Sequence, residues 1–391
     1  MTPPTPGHRA WADRTRGRLD SVIDGGRWRA PREFDAFGPQ GTLNQESVVS
    51  FASNDYLGLS MHPTVIAAAH AALDRWGTGA GASRLVTGSR PVHSQLEEEL
   101  AAWKGTEAAI CFPTGFAANL GTISVLGDSG VRILSDELNH ASIIEGCRIS
   151  RSDVTIYRHA DVNHLSDLLE AQGRTTTPTM VITDTVFSMD GDIAPVEEIA
   201  DLCRRHGAIL MLDEAHAVLG PHLTATLTDD SDLMLIRMGT LSKALGAMGG
   251  FVAASRDMVD LLVNLARSYI FTTALTPADA AAALAALRIV RSAEGDALMS
   301  RLSALVARVA GPEHPSPIVP VILGSEAKAI AASSELLSEG LWVPAIRPPT
   351  VPPGTSRLRI TLSAAHTDAQ VDHLVATIDH LVGALATRQR I

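Results

Sequence analysis

A chain of 391 residues, 46% hydrophobic and 19% charged, is long enough for a large core and for two or three domains, and its composition is that of a soluble globular protein. The formal net charge of −11 opposes non-specific attraction to nucleic-acid phosphates or anionic lipid, so no nucleic acid and no membrane is expected as partner; the seven arginines from Arg9 to Arg32 are a local basic exception. Three cysteines, Cys111, Cys147 and Cys203, have neither a metal-ligand nor a redox spacing, which predicts buried reduced thiols, a cytoplasmic protein and no metal site.

From the N-terminus, Met1 to Arg18 carries Pro3, Pro4 and Pro6 followed by mixed charges, with no apolar segment that a secretion machinery would recognise. Val65, Ile66, Ala69, Leu73 and Trp76 fall on one helical face, as do Val92, Leu96, Leu100 and Trp103, and both sets predict amphipathic helices packed on a core. Between about 107 and 255, β-rich runs alternate with helical patterns, which predicts βαβ units and a largely parallel sheet. Met180 to Ile182, Ala208 to Leu212, Leu233 to Ile236 and Phe251 to Ala254 are near-continuous apolar runs, the pattern of strands buried on both faces. A long helical region follows, from about 256 to 310. Its alanine-rich part, Ala274 to Val290, carries Pro277, Asp279 and Arg288 and is predicted as a buried helix, not a membrane span. Short strands near 317–323, 343–347 and 357–362, with a helix between the first two and another at the end, predict a smaller α+β domain.

The strongest local signal is the run Ala208 to Leu212 followed by Asp213-Glu214-Ala215-His216, because a carboxylate at the carboxyl end of a parallel strand is where open α/β sheets bind ligands. The same four letters mark the magnesium box of a helicase class. That reading needs a phosphate loop ending in Gly-Lys-Ser/Thr, and no Gly-Lys pair occurs in the chain. About 30 residues on, Gly239-Thr240-Leu241-Ser242-Lys243-Ala244-Leu245-Gly246 places a lysine among small hydroxyl residues. Pyridoxal 5'-phosphate needs a lysine for its imine and an acid that keeps the pyridine nitrogen protonated. Asp213 and Lys243 supply both, and hydroxyls beside the lysine suit the phosphate.

Four further segments, Phe51 to Leu59 (FASNDYLGL), Gly79 to Arg84 (GAGASR), Asp136 to Ser142 (DELNHAS) and Phe187 to Asp192 (FSMDGD), make the chain resemble the α-oxoamine synthase family of pyridoxal-phosphate enzymes from about Ser50 to His380. The resemblance implies a fold-type-I α/β transferase, with a mostly parallel central sheet flanked by helices and a smaller α+β C-terminal domain. Its expected division is 1–50 as N-terminal arm and small-domain segment, 51–285 as large cofactor-binding domain and 286–391 as small domain. It also implies a homodimer with sites at the subunit interface. In that family's pattern Lys243 matches the imine lysine, Asp213 the partner of the pyridine nitrogen and His140 the histidine stacked on the ring. His216 and Ser188 match residues near the phenolic oxygen. Gly115 and Phe116 match backbone donors to phosphate, joined by Thr240 and, from the neighbouring subunit, Thr272 and Thr273. Arg359 matches the arginine that holds the amino-acid carboxylate, with Asn54 beside it. Locally, His140 can equally be a helix-capping or core residue, Phe116 a core residue, and Arg359 is indistinguishable from Arg357 in an alternating strand with one solvated face.

Ile346 to Pro352, which contains Pro348, Pro349 and Thr350, resembles the branch of the family that condenses L-alanine with a pimeloyl thioester, carried on coenzyme A or a carrier protein. Two consecutive prolines hold a chain extended and rigid, which suits a wall along an acyl channel. Ser83 fits the same branch, since the aminolevulinate branch has threonine there and the extra methyl would crowd alanine. The family binds the acyl end through an N-terminal arginine, for which Arg29 is favoured over Arg27. A sister synthase using glycine and a catalytically inactive partner subunit are the alternatives; the second would lack the lysine, and Lys243, Asp213 and His140 are all present. Two departures from the family pattern stand near the cofactor. The stretch His216 to Gly220 is about two residues short, and Asp184 replaces a common glutamate.

Overall fold

Apolar runs without alternation become strands covered on both faces: every residue of Ala108–Phe112 and of Gly250–Ala254 is buried. The computed structural model describes residues 5–171, 177–219, 227 and 232–388. Helix α1 (Pro6–Asp24) and strands β1 (Phe34–Ala36), β2 (Gln40–Leu43) and β3 (Glu46–Ser50) precede α2 (Pro63–Trp76) and α3 (Pro91–Lys104). Then β4 (Ala108–Phe112), α4 (Gly115–Leu126), β5 (Arg132–Asp136), α5 (Ala141–Ile149), β6 (Asp153–Tyr157), α6 (Val162–Ala171), β7 (Thr179–Asp184), α7 (Val196–His206), β8 (Ile209–Asp213), β9 (Leu235–Thr240) and β10 (Gly250–Ala254) follow. Helices α8 (Arg256–Leu265), α9 (Arg267–Ile270), α10 (Pro277–Val290) and α11 (Ala293–Ala310) lead to β11 (Ile318–Gly324), α12 (Glu326–Ser338), β12 (Leu341–Trp342), β13 (Ala345–Ile346), β14 (Ser356–Thr361) and α13 (Asp368–Arg388).

The central sheet has the order β4-β10-β9-β8-β7-β5-β6. All neighbours are parallel except β10, which runs antiparallel to both β4 and β9. Parallel order aligns the carboxyl ends of β5, β7, β8 and β9 along one edge, and the crossover helices α4 and α5 start at that same edge. The expected small-domain strands become the antiparallel sheet β11-β14-β13. β12 instead joins the N-terminal strands, pairing Leu341 with Val49 and Trp342 with Ser50.

Two sequence expectations change. On α2 the buried side chains are Val65 and Ala72, with Ala68, Ala69 and Trp76 packed beside them, whereas Leu73 is 37% exposed. The partner surface is α10, whose small alanines take the narrow face of α2 and leave its leucine outside. β14, expected to have one solvated face, is buried along its whole length. β11 and β13 flank it, and the 186–193 turn covers the face carrying both arginines.

Candidate active site

β8 delivers Asp213 to the sheet edge, 2% exposed, with Asp184 of β7 as its register partner. Asp213 is held from two sides: Asn119 Nδ2 of α4 donates to Oδ2 at 2.8 Å and the Ala215 amide to Oδ1 at 3.0 Å. Burial and the charge of Asp213 push the Asp184 carboxyl well above the usual carboxylate range. The same Asp184 accepts the backbone N–H of His140 at 2.8 Å, so the shorter acid still ties β7 to the turn that carries the histidine.

His140 is the N-cap of α5, and its Nδ1 accepts the Ser142 amide at 3.2 Å. An accepting Nδ1 places the ring proton on Nε2, where it has no hydrogen-bond partner among the described residues. Asn119 Nδ2 also donates to Ser142 Oγ at 2.8 Å, which leaves the Ser142 hydroxyl proton for His140 Nδ1 at 2.7 Å. One amide thus orients the acid and the histidine together. Burial holds the His140 ring below its ordinary value; the charge of Asp213 opposes this and that of Lys243 reinforces it.

Lys243 follows β9 and its Nζ lies 2.8 Å from His216 Nε2. Burial pulls the lysine down from its ordinary value, against the charges of Asp213 and Asp184 and together with that of Arg359. Burial, then Lys243 and Arg359, depress His216 further. A protonated Lys243 makes Nε2 the acceptor, so Nδ1–H points at Tyr56 Oη, 2.5 Å away, and the Tyr56 hydroxyl reaches Asn54 Oδ1 at 3.2 Å. Arg359 Nη2 donates to the same Asn54 oxygen at 3.2 Å, its Nε to the Ser188 carbonyl at 2.6 Å and its Nη1 to Thr361 Oγ1 at 2.8 Å.

The choice between the two arginines is electrostatic. Arg357 and Arg359 project from the same face of β14, and both are at most 5% exposed. Arg357 meets the Asp190 carboxylate, which neutralises it. Arg359 is hydrogen-bonded to uncharged atoms, so it retains a positive charge for an incoming carboxylate.

A second group of donors lies at the start of α4. Thr114 caps the helix by accepting the Ala117 amide at 3.0 Å, while the amides of Gly115 and Phe116 sit in the first turn, where helices have no internal acceptor. Phe116 is 45% exposed, which overturns the core alternative. Thr240 packs directly on Gly115: a Cβ there would sit 3.4 Å from Thr240 Cβ. Thr240 Oγ1 donates to the Gly249 carbonyl at 2.9 Å and accepts the Ser242 amide at 3.2 Å. A helix N-terminus lined by hydroxyls, a buried acid and a half-buried lysine are the donor set that pyridoxal phosphate requires, so the residues fit the cofactor.

The remaining expected residues fall in two other places. Ser83 caps the short turn Arg84–Gly88, and the Ala82 carbonyl beside it accepts the Ala274 amide at 3.0 Å, which brings in the Thr272-Thr273 loop. No hydrogen bond among the described residues joins either loop to the Lys243 network. Arg29 and Thr350 line a pocket of about 200 Å³ with Arg27, Ala345, Ile346, Arg347 and Pro348. Arg347 Nη1 donates to the Gly26 carbonyl at 2.9 Å and pins the arm against the double proline. The shortened loop after His216 runs to Gly220, outside the described residues. Sequence reasoning did not single out Asn119, Tyr56 as a hydrogen-bonding residue, or Arg347; Tyr56 and Arg347 had a local signal in their places in the FASNDYLGL and 346–352 segments, and Asn119 had none. Glu214, adjacent to Asp213, points away from the site and is buried between Lys104 at 2.6 Å and Arg237 at 2.7 Å.

The family model described as aminotransferase class I and II matches residues 46–378. An 8-amino-7-oxononanoate synthase of Anaeromyxobacter dehalogenans is 49% identical over 367 residues, covering 89% of this chain and 90% of its own length. Among solved structures, a serine palmitoyltransferase from S. paucimobilis with bound PLP and myriocin superposes with a TM-score of 0.87 at 29% identity, covering 97% of this chain and 99% of that one. An 8-amino-7-oxononanoate synthase from Francisella tularensis gives a TM-score of 0.72 at 26% identity, covering 88% and 99%.

Proposed function

The chain belongs to the aminotransferase class I and II family as a pyridoxal-phosphate enzyme of the α-oxoamine synthase type, and from that premise we propose that it acts as an 8-amino-7-oxononanoate synthase, joining L-alanine to a pimeloyl thioester with loss of carbon dioxide. The observation that carries this reading is the unbroken run of contacts from Lys243 through His216, Tyr56 and Asn54 to Arg359, which sets a base and a carboxylate receptor in one network.

In this reading Gly115, Phe116, Thr240 and the partner subunit's Thr272 and Thr273 would hold the cofactor phosphate, Asp213 would meet its ring nitrogen, and His216 and Ser188 would meet its phenolic edge. When bound, pyridoxal phosphate supplies the electron sink that stabilises negative charge at alanine's α-carbon. Arg359 and Asn54 grip the alanine carboxylate, with Ser83 limiting the side chain. Lys243, its basicity set by burial, takes the α-proton at Nζ, a role worth roughly 10²–10⁴ in rate. With the cofactor in place, the α-carbon would bond to the thioester carbonyl carbon as the C–S bond breaks, and the sulfur would leave as a thiolate that takes a proton from solvent. His140 would stand against the ring, with the Nε2–H left free by its accepting Nδ1 available to donate to the reacting acid. Once the carboxylate had left as carbon dioxide, Lys243 Nζ would return a proton to the same carbon.

The Arg27, Arg29 and Arg347 pocket, lined by no acidic residue, suits the far carboxylate of the pimeloyl group, and Thr350 stands on its wall. The division at residues 50 and 285 belongs to the same proposal, supported by the pairing of β3 with β12. No described helix is long and apolar enough to cross a membrane. Cys111, Cys147 and Cys203 are all free and buried, and reduced thiols support a cytoplasmic place. A panel of acetyl, succinyl and pimeloyl thioesters against alanine and glycine, read by product mass, tests the reading. Alanine with the pimeloyl donor is expected to give 8-amino-7-oxononanoate and carbon dioxide, with borohydride fixing the cofactor on Lys243. A preference for glycine with acetyl or succinyl donors would assign the chain to a sister branch.

A further inference from the structure

His159 lies outside every role above, yet it is bonded at both ring nitrogens to carboxylates. Its Nδ1 is 3.0 Å from Asp136 Oδ1 at the end of β5, and its Nε2 is 2.7 Å from Asp192 Oδ2. Both contacts ask the ring to donate, and only the imidazolium can donate from both nitrogens at once. Its edge packs on the Phe187 ring, with centroids 4.3 Å apart and planes at 88°. Asp192 and Phe187 belong to a tight turn closed by Phe187 N–H to the Asp192 carbonyl at 3.0 Å and Gly191 N–H to the Phe187 carbonyl at 2.8 Å. The far side of that turn presents the Ser188 carbonyl to Arg359 Nε and Asp190 to Arg357. Gly191 rests so close to β11 that a Cβ would come within 2.0 Å of the Ile318 carbonyl oxygen.

We propose that His159, bridging Asp136 and Asp192, is a positioning residue that holds the 186–193 turn against the sheet edge and thereby aims Arg359 at the amino-acid carboxylate. The inference rests on the reading of Arg359 given above. Pulling Asp192 toward β5 sets the height of the Ser188 carbonyl, and that carbonyl is the contact that fixes the Nε edge of the guanidinium. Burial works against a charge on His159, but the hydrogen bonds to Asp136 and Asp192 and their negative charges outweigh it and push the ring up to about 10. Of the other neighbouring charges, Arg158 pairs with Asp161 and Arg357 with Asp190, while Asp136 accepts the amides of Leu138 and Ala160 besides facing His159. Because the folded value lies above the ordinary 6.5, the clamp is complete below that value and is lost as pH rises through about 10.

The test is His159→Gln in the holoenzyme, with folding checked by circular dichroism and alanine affinity read from the cofactor's absorbance change. The expected result is a KM and dissociation constant for alanine raised on the order of 10–100-fold, while KM for the pimeloyl donor stays within about threefold of wild type. A folded variant that binds alanine as wild type does overturns the proposal. Should it not fold, Asp192→Asn, which leaves the Asp136–His159 pair in place, must show the same split. Independently, nitrogen-15 spectra of the wild-type histidines at pH 8 must show one doubly protonated ring that disappears in His159→Gln or, where that variant does not fold, sharpens or shifts in Asp192→Asn; a neutral ring overturns the clamp. If wild-type protein makes no aminoketone from any thioester, the synthase reading fails, and the nitrogen-15 result still judges the clamp.

Discussion

Two arginines two residues apart on one strand carry opposite fates, because one meets a carboxylate and the other meets only neutral oxygens. Arg359→Gln is therefore expected to raise KM for alanine by about 100-fold, the loss of charge-assisted hydrogen bonds worth roughly 3 kcal/mol. Arg357→Gln, whose charge Asp190 already neutralises, is expected to raise it by about tenfold at most, with the larger effect on thermal stability. Steady-state kinetics of the pair decide the matter, and equal effects on KM would refute the electrostatic distinction. In the sequence the two were equivalent by period and residue type; the difference lies in Asp190, 167 residues away along the chain. Asp213 was legible because it stands directly after an apolar strand run, and Lys243 because it sits among small hydroxyl residues about 30 residues beyond that acid. Asn119 was not, since a buried asparagine in a helix has no pattern until α4 is laid beside β8.

At the scale of elements, the site depends on the close approach of β10 to the first turn of α4. A Cβ on Gly250 would sit 2.5 Å from both the nitrogen and Cα of Gly115, backbone atoms that cannot rotate aside. Gly250→Ala is expected to displace the helix N-terminus, destabilising the protein by about 1–3 kcal/mol as overpacking does and weakening cofactor binding with it. Thermal melts with and without added pyridoxal phosphate measure both, and an alanine variant with unchanged melting and cofactor affinity would show that the approach is not tight. Helices α2 and α3 were legible from their 3.6-residue period, but period alone put Leu73 inside. The face that is buried follows the shape of the partner, and the alanines of α10 select the small residues of α2.

For the whole molecule, exposed apolar side chains gather where the expected neighbour-subunit loops lie. Leu85 is 52% exposed, Val86 73% and Phe271 71%, and α9 packs on both α4 and the Arg84–Gly88 turn, so these side chains form one region. Surface of this kind marks an interaction site, and a second copy of the chain is the partner expected here. Mixing inactive Lys243→Ala chains with inactive Thr272→Val/Thr273→Val chains is expected to restore about a quarter of wild-type activity at random assortment, since one site in two is whole in half of the dimers. Verified hybrids without activity would place these threonines outside a shared site.

The amino-acid sequence by itself determined the class of the sheet and the family, and it singled out the acid and lysine proposed to meet the cofactor, because apolar period, strand-end chemistry and motif order are properties of short stretches that survive without a fold. Tertiary structure alone decided which arginine keeps its charge, that Asn119 orients Asp213 and Ser142 together, that Arg347 pins the N-terminal arm, and that His159 spans two carboxylates. These are statements about charge and hydrogen-bond partners drawn from distant parts of the chain. A side chain's partners, and hence its charge state, are settled only when packing brings those parts within a few ångströms and removes the water between them.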